Sequence, residues 1–281
     1  MTILDGKKIK TKVLEELRNE VATISDKPTL VVIQVGNNEA SNIYIKQKEK
    51  MANYVGYNFK LLKFSEDIEE EKLLTEIDKL NNNIEVTGMI VQLPLPKHLN
   101  VKRILNAIAE KKDIDGLSNI NAGKLLHSED TLVPCTPLGI MQLLTEYHID
   151  VMGKNVTMVG ASDLVGKPMA VLLNNAGATV TLCHRGTKNL KKHTLSADII
   201  VVAVGKPNLI TADMVRKNAV VIDVGINNID GKICGDTNFE DIKEKASYIT
   251  PVPGGVGPMT VAMLGANLLK AYKMQKDNLN G

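Results

Sequence analysis

The stretch Val156-Thr-Met-Val-Gly-Ala-Ser-Asp-Leu-Val-Gly-Lys-Pro168 decides the fold class of this chain. An apolar run ends at Gly160, small residues follow, and Gly166 leads into the helix-compatible run 169–175. Strand, tight turn and helix N-terminus in this order are typical of the corner that holds phosphates in dinucleotide-binding folds. The glycine pattern is degenerate, because Ser162 stands in place of the second glycine and the third falls one position late. On this motif alone, a turn that binds no ligand stays an alternative.

Strands and helices alternate on both sides of this stretch. Around it, β-branched runs predict strands at 156–160, 178–183, 198–204 and 219–224, with helices between them. Earlier in the chain, strands are predicted at 29–35, 58–64 and 88–93. Between them, a helix that Ser41 caps runs to about Val55 and is stopped by Gly56, and a second helix covers 67–82. Such alternation produces parallel sheets, so the sequence predicts an α/β protein with a Rossmann-like unit in its second half. A long polar connection from Asn119 to Cys135 indicates the domain boundary.

The composition narrows the class of protein. The 281 residues carry a net charge of +2, with no block of Lys and Arg that would localise nucleic acid. Neither a signal-peptide pattern nor a run of 18 apolar residues occurs, so we expect a soluble protein that does not insert in a membrane. Cys135, Cys183 and Cys234 lie far apart and without metal-ligand spacing. This spacing favours the reducing cytoplasm and predicts no metal site.

The end of the second strand of the Rossmann-like unit indicates which nicotinamide is bound. It reads Leu182-Cys-His-Arg-Gly-Thr187 and lacks the acid that would accept hydrogen bonds from the ribose 2′-hydroxyl of NAD. Arg185 suits a 2′-phosphate by its charge and its bidentate geometry. NADP is therefore predicted over NAD. The alternatives are a surface charge without a ligand for Arg185 and a structural hydrogen-bonding role for His184.

A second group of candidate residues lies in the first half of the chain. Tyr44 and Lys48 are four residues apart, so they share one face of a helix that follows the first strand. The segment Val91-Gln-Leu93 ends the third strand, and Asp115 lies on the loop beyond it. A ring, an amine, an amide and a carboxylate at one sheet edge can bind a planar heterocycle and move its protons. On spacing alone, Lys48 could equally be a surface lysine, Tyr44 a core residue and Asp115 a turn residue.

The segment Pro251-Val-Pro-Gly-Gly-Val-Gly-Pro-Met-Thr260 is more specific. Three glycines and three prolines in ten residues are too many for an ordinary connector. Gly257-Pro258 predicts a helix start with free backbone N–H groups. A segment of this kind between two domains can contact both a cofactor and a substrate.

Several motifs in this order carry a resemblance to a known family. They are Tyr44-Ile-Lys-Gln-Lys48, Val91-Gln-Leu-Pro-Leu95, Lys112-Asp-Ile-Asp-Gly116, Pro134-Cys-Thr-Pro137, Gly160-Ala-Ser-Asp-Leu-Val-Gly166, Asp223-Val-Gly-Ile-Asn227 and Pro251 to Ala262. Together they closely resemble the bifunctional methylenetetrahydrofolate dehydrogenase/methenyltetrahydrofolate cyclohydrolase family, from Gly6 to about Lys273.

The resemblance implies a two-step reaction. NADP takes a hydride from 5,10-methylenetetrahydrofolate, and water then opens the resulting methenyl cation to 10-formyltetrahydrofolate. It also implies that the last helix returns to the first domain. The expected domains are thus 1–118 with 262–281 for folate and catalysis, and 119–261 for NADP. A homodimer joined through the cofactor domain and a place in one-carbon metabolism and purine biosynthesis follow from the same resemblance.

The resemblance also assigns roles to individual residues. Lys48 matches the lysine that handles protons, Gln92 the amide that holds it, Tyr44 the ring stacked on folate, and Asp115 the carboxylate that grips the pterin. The remaining positions expected to contact folate are Val91, Leu93, Gly254, Gly255, Gly257 and Pro258. Those expected to contact the cofactor are Gly160, Ala161, Ser162, Val165, Gly166, His184, Arg185 and Ile226.

The chain departs from some relatives in one respect. These relatives carry an Arg directly after Gly160 and a small residue at the position of Arg185, whereas this chain has Ala161 and the cation at the end of the second strand. Three other functions stay open at this point. They are a monofunctional NADP-dependent dehydrogenase of the same plan, an NADP-dependent dehydrogenase for a shikimate- or amino-acid-like substrate, and a ligand-sensing module without turnover.

Overall fold

The computed structural model describes residues 1–277 and contains two parallel sheets and a separate hairpin. The strands are β1 (Thr2–Ile3), β2 (Thr29–Val35), β3 (Asn58–Phe64), β4 (Gly88–Val91), β5 (Asn155–Val159), β6 (Thr179–Cys183), β7 (Ile199–Val202), β8 (Val220–Asp223), β9 (Asn227–Ile229), β10 (Lys232–Cys234) and β11 (Tyr248–Ile249). The helices are α1 (Gly6–Ala22), α2 (Glu39–Val55), α3 (Glu70–Asn82), α4 (Val101–Asn106), α5 (Asn119–Leu126), α6 (Cys135–Glu146), α7 (Gly166–Asn175), α8 (Leu190–Leu195), α9 (Phe239–Ile242) and α10 (Val256–Asp277).

The chain divides into two compact units. The first, here called the six-stranded unit, comprises Met1–Thr11 and Thr136–Thr260. The second, the three-stranded unit, comprises Lys12–Cys135 and the chain from Val261 onward. The predicted domains differ from these units at 1–11, at 119–135 and at the single residue Val261. The first difference arises because β1 pairs with β11, and the second because α5 hydrogen-bonds to the segment around Asp113.

The six-stranded unit is built on a parallel sheet in the order β1-β11-β8-β7-β5-β6. Every residue of β7 and β8 is buried, which is the burial expected of central parallel strands covered on both faces. This sheet confirms the predicted Rossmann-like unit. The hairpin β9–β10 turns at Asp230-Gly231, where both residues have positive φ angles, as a tight hairpin turn requires.

The three-stranded unit has a parallel sheet in the order β3-β2-β4. Its middle strand, β2, is the apolar run Thr29–Val35, in which Leu30 to Ile33 are fully buried. Helix α3 turns Leu73, Ile77 and Leu80 into the core around this sheet. The helix and strand periods read from the sequence therefore correspond to the faces that this core buries.

Most differences from the predicted elements occur at element ends. The N-cap of α2 is Asn38 and not Ser41, because the Asn38 side chain accepts the Ser41 N–H at 3.0 Å. The predicted stop at Gly56 is confirmed by its left-handed φ of 93°. The predicted polar connection after Ser118 was wrong in part, since it contains α5.

The last helix begins at Val256, directly before the Gly257-Pro258 pair. Its first turn therefore contains Gly257 and Pro258, which agrees with the helix start expected there. Across residues 1–277, no helix combines the length and apolar character needed to cross a bilayer.

Candidate active site

The carboxyl end of the three-stranded sheet brings Lys48 and Gln92 together. Lys48 lies on α2, and Gln92 directly follows β4, its own N–H donating to the carbonyl of Ile33 at 2.8 Å. The Lys48 Nζ donates to Gln92 Oε1 at 2.9 Å, and Gln92 Nε2 donates to the carbonyl of Leu93 at 2.7 Å. Gln92 is buried and has both ends of its amide engaged, so it holds the lysine amine in one place.

Asp115 completes this group. Although part of its surface is accessible, the packing around its carboxyl group raises the pKa of Asp115, and the positive charge of Lys48 opposes part of that rise. The thiol of Cys135 lies 3.7 Å from Asp115 Oδ1, and burial raises the pKa of this thiol well above its usual value. The structure therefore groups the amine, the amide and the carboxylate that the sequence predicted. Cys135 was not among the predicted site residues.

Tyr44 and Val91 contribute differently. Tyr44 precedes Lys48 by one turn of α2, and 45% of its surface is exposed, so its ring is available to a planar ligand. Val91 is buried inside β4, which leaves only its backbone for contact with a ligand, and Leu93 is partly buried. Asp113 serves the fold, because its Oδ2 accepts the N–H of Ser118 at 2.8 Å and the amide of Asn121 at 2.9 Å.

Asn267 supports the loop that carries Asp115. This residue of α10 is 1% exposed, and its Nδ2 donates to the carbonyls of Ile114 and Val133, each at 2.8 Å. It also lies 3.6 Å from the sulfur of Cys135. Sequence reasoning missed Asn267, although a lone Asn in the apolar run of α10 was a signal for a buried amide that needs partners.

The glycine turn after β5 has the close packing expected of a phosphate-binding corner. Gly160 has a φ of 115°, and a Cβ there would lie 2.2 Å from the carbonyl oxygen of Ala203. A Cβ on Gly166 would lie 2.0 Å from the carbonyl oxygen of Gly160. Only glycine fits at either position, so the backbone can approach a ligand closely here.

Ser162 organises the start of α7 within this turn. Its Oγ accepts the N–H of Val165 at 3.2 Å and that of Gly166 at 3.4 Å. The side chain of Ser162 is exposed, and Ala161 is partly exposed beside it. The turn therefore offers a hydroxyl and a helix N-terminus, both suited to a phosphate.

The end of β6 presents a cation. His184 holds the turn, because its Nδ1 accepts the N–H of Gly186 at 3.1 Å and its carbonyl accepts the N–H of Thr187 at 2.8 Å. This is the structural hydrogen-bonding role considered for His184. Arg185 lies at the tip of the turn and is exposed, so its guanidinium is accessible to a ligand.

The segment before α10 folds against the start of α1. A Cβ on Gly6 would lie 1.7 Å from the carbonyl oxygen of Gly255, and Gly254 is similarly buried beside Lys7. Gly257 is exposed, Pro258 is partly buried, and a Cβ on Gly257 would lie 3.9 Å from Cδ1 of Ile226. The structure thus groups Ile226 with Gly257. Lys48, Gln92 and Asp115 belong to the other compact unit.

In the part of the chain that the structure describes, no three His, Cys, Asp or Glu side chains are grouped to hold an ion. A Rossmann-like sheet with a glycine corner and an exposed Arg, together with a second parallel sheet whose carboxyl end holds a hydrogen-bonded lysine and amide, is the arrangement expected of a nicotinamide-dependent dehydrogenase.

Comparisons with known proteins identify the family. Residues 4–115 match the model described as tetrahydrofolate dehydrogenase/cyclohydrolase, catalytic domain, and residues 134–276 match the model for its NAD(P)-binding domain. The chain belongs to the tetrahydrofolate dehydrogenase/cyclohydrolase family. This result confirms the resemblance carried by the motifs, and with it the predicted enzyme class and two-domain α/β fold.

Individual relatives agree over nearly the whole chain. The bifunctional protein FolD of Nautilia profundicola is 52% identical over 277 residues, which are 97% of this chain and 98% of that protein. The solved bifunctional FolD dehydrogenase/cyclohydrolase of Campylobacter jejuni superposes with a TM-score of 0.96 at 46% identity, covering 98% of this chain and 99% of that one. The Trypanosoma brucei dehydrogenase-cyclohydrolase, solved with NADP cofactor and an inhibitor, has a TM-score of 0.92 at 34% identity and covers 98% of both chains. The bifunctional assignment is therefore favoured over the monofunctional one.

Proposed function

We propose that the chain oxidises 5,10-methylenetetrahydrofolate with NADP and hydrolyses the methenyl product to 10-formyltetrahydrofolate. The observation that carries this proposal is the hydrogen bond from Lys48 to Gln92 beside Asp115, in a chain that matches both domains of the family. The methenyl cation is itself an electrophile. Its hydrolysis needs only a positioned water and a group that exchanges protons.

Lys48 is the group assigned to proton exchange in the hydrolytic step. Gln92 fixes the direction of its amine, because the amide oxygen accepts from Nζ while the amide nitrogen is committed to the carbonyl of Leu93. An amine fixed in this way can relay a proton to and from the water that adds to the substrate carbon. The backbone of Val91 and Leu93 lines the same sheet edge, which is where open α/β sheets bind ligands.

Asp115 and Tyr44 are assigned to the pterin. A carboxylate in a partly desolvated loop can accept two hydrogen bonds from the amino and ring N–H groups of a pterin. The exposed ring of Tyr44 can stack on the same heterocycle. Gly254, Gly255, Gly257 and Pro258 are proposed as further folate contacts by their match to the family motif.

The residues of the six-stranded unit fit NADP. At Gly160 and Gly166 a Cβ would clash with the backbone, so the turn can approach a ligand closely. Ser162 presents its hydroxyl at the start of α7, and Ala161 and Val165 are proposed as further contacts in the same turn. The exposed guanidinium of Arg185 would bind the 2′-phosphate, with His184 shaping the turn and Ile226 on the nicotinamide side. When bound, NADP accepts the hydride, and the protein orients the two reactants.

We assign catalysis and the folate contacts of Tyr44, Lys48, Gln92 and Asp115 to the three-stranded unit, and we assign cofactor binding and the folate contacts at 254–258 to the six-stranded unit. The bounds of these units are used in place of 1–118 with 262–281 and 119–261. We also propose a homodimer joined through the six-stranded unit. Strand β6 is an edge of its sheet, and Leu182 on it is 38% exposed, so both backbone groups and apolar surface are available for pairing. Light scattering on the purified protein would refute this state by giving a monomer mass.

A location in the cytoplasm is proposed on the basis of the three cysteines, which are all free thiols. The product 10-formyltetrahydrofolate carries an activated formyl group, so a formyl-transfer reaction must consume it, and purine biosynthesis is the proposed use. Measuring formyl transfer in an extract supplied with this protein would test that link.

The decisive experiment is spectrophotometric. The protein is mixed with methylenetetrahydrofolate and either NADP or NAD, and the absorbances of reduced nicotinamide and of the methenyl product are followed. Formation of NADPH without build-up of the methenyl product supports both activities. Build-up of the methenyl product would leave the alternative, a monofunctional dehydrogenase. The absence of reduction with either cofactor would contradict the proposed function.

A variant pair isolates the role of Lys48. Lys48→Met should abolish hydrolysis of methenyltetrahydrofolate while folate still binds, because the site loses only its proton-handling amine. Lys46→Met is the matched control, since Lys46 is an exposed lysine on the same helix, and its activity should equal that of the unmodified protein. Retained hydrolysis in the Lys48 variant would overturn the assignment.

A further inference from the structure

Two buried carboxylates lie at the end of the six-stranded sheet, outside the contacts assigned above. Asp223 ends β8 and is 2% exposed, and Asp236 follows β10 and is 0% exposed. In residues 1–277, the hydrogen bonds of both carboxylates come from backbone N–H groups, one hydroxyl and one side-chain amide. Carboxylates enclosed without cations are costly, so their placement calls for an explanation.

Asp236 gathers three consecutive N–H groups. Its Oδ2 accepts from Val204 at 2.7 Å and Gly205 at 3.0 Å, and its Oδ1 accepts from Lys206 at 2.8 Å. These residues form the loop that directly follows β7. The loop therefore directs its backbone donors into the protein, and its path at the sheet edge depends on one carboxylate.

The same carboxylate fixes the loop that follows β8. Its Oδ1 also accepts from Nδ2 of Asn227 at 2.9 Å, and a Cβ on Gly225 would lie 2.3 Å from its Cγ and Oδ1. Ile226 stands between these two contacts and is 56% exposed. Asp236 thus holds the residues on both sides of Ile226, which presents its side chain outward.

Asp223 holds the backbone on both sides of these contacts. Its Oδ1 accepts the N–H groups of Gly225 at 2.9 Å and Asp236 at 3.0 Å, and its Oδ2 accepts the N–H and hydroxyl of Thr237. Burial raises the pKa of Asp223, and these hydrogen bonds oppose part of the rise. Asp223 therefore positions Asp236, which in turn joins the loops after β7 and β8.

We infer that Asp236 is a positioning residue for the nicotinamide cofactor. It fixes the loops after β7 and β8 at the carboxyl edge of the parallel sheet, where β7 lies next to β5, the strand that leads to the Gly160 turn. In this way it holds Ile226 in the conformation that contacts the cofactor. The carboxylate itself is buried and does not touch the ligand. This inference rests on the proposed NADP site.

The test exploits the two activities of the enzyme. Asp236→Asn replaces one acceptor oxygen by an NH2 group, which then faces a donor of the loop or of Asn227 in either orientation. Loss of one charge-assisted hydrogen bond predicts that the Kd and KM for NADP rise by about tenfold to a hundredfold. Hydrolysis of methenyltetrahydrofolate uses no nicotinamide, so its kcat and KM should stay within about twofold of the unmodified protein.

Asp230→Asn is the matched control. Asp230 is exposed in the hairpin turn and has a φ of 49°, a conformation that Asn adopts readily, so this variant should leave both activities unchanged. Asn227→Ala keeps the backbone contacts and removes one donor. It should raise the KM for NADP by about threefold. If Asp236→Asn does not fold, this variant tests the positioning role of Asp236 in its place.

Two outcomes would overturn the inference. One is an unchanged calorimetric Kd for NADP in the variants, and the other is an equal fall of dehydrogenase and cyclohydrolase activity, as a general loss of structure would produce. Failure of the unmodified protein to bind NADP would instead refute the proposed cofactor site on which the inference rests. Calorimetry on the unmodified protein therefore distinguishes the two failures.

Discussion

Asn267 offers a direct test of how the candidate active site is supported. Replacing it with Leu keeps a similar volume in the core but removes the amide that donates to the carbonyls of Ile114 and Val133. The expected result is a clear loss of stability, because both carbonyls lose a donor at 2.8 Å. Since Ile114 directly precedes Asp115, weaker folate binding should accompany it.

The magnitude follows from the two contacts. A buried carbonyl without its donor costs about 1–3 kcal/mol. Within residues 1–277, the carbonyl of Ile114 keeps only the thiol of Cys135 at 3.5 Å, which is a weak donor, whereas Val133 is partly accessible and can gain a water. The free energy of unfolding should therefore fall by about 2–4 kcal/mol in Asn267→Leu.

Urea unfolding followed by circular dichroism measures this change. Lys273→Met is the control on the same helix, since it breaks only the exposed ion pair with Glu20 and should cost less than about 1 kcal/mol. A loss in Asn267→Leu as small as that of the control would refute the reasoning. It would mean that the two carbonyls find other partners without cost.

Three further predictions concern the cofactor turn and Asp115. Arg185→Ala should raise the KM for NADP by about tenfold to a hundredfold and that for NAD hardly at all, with the exposed Lys217→Ala as control, and equal effects on both cofactors would remove the 2′-phosphate argument. Gly160→Ala should lower the free energy of unfolding by about 3 kcal/mol, because the φ of 115° is strained for alanine and the new Cβ would lie 2.2 Å from the carbonyl oxygen of Ala203. An unchanged melting temperature would contradict this prediction. The pKa of Asp115 is raised in the folded protein, so the folded protein holds that proton more tightly than the unfolded chain does. The stability of the unmodified protein relative to Asp115→Asn should therefore fall as pH rises above 3.8, the ordinary pKa of the group. A relative stability of the unmodified protein that increases with pH would contradict this prediction.

Local backbone rules predicted much of the fold. Gly56 was read as a helix stop and Gly160 as the end of a strand, because positive φ angles select glycine regardless of the surrounding structure. In contrast, α5 was missed because it is held by polar contacts. Its Asn121 is buried through hydrogen bonds to Asp113 and Thr131, a polar core that no hydrophobic period reveals.

Only those site residues that follow a predicted strand could be located from the sequence. Lys48 and Gln92 were expected at one sheet edge because each follows the carboxyl end of a predicted parallel strand. Asp236 and Asn267 had no such guide, since their partners lie in loops far along the chain, and their spacing carries no period. Buried carboxylates that accept backbone N–H groups depend on loop paths, which sequence patterns do not specify.

The exchange of terminal segments between the two units also determines the order in which the chain can fold during synthesis. Strand β1 pairs with β11, and the three-stranded unit includes the chain from Val261 onward. Domains of a nascent chain commonly fold as they emerge from the ribosome, starting from the N-terminus. Here, the six-stranded unit is complete only when Thr260 has been made, and the three-stranded unit only when the segment after it has been made, so both units are completed late in synthesis. A ribosome stalled before Tyr248 would hold two unfinished units, exposed together to chaperones and proteases.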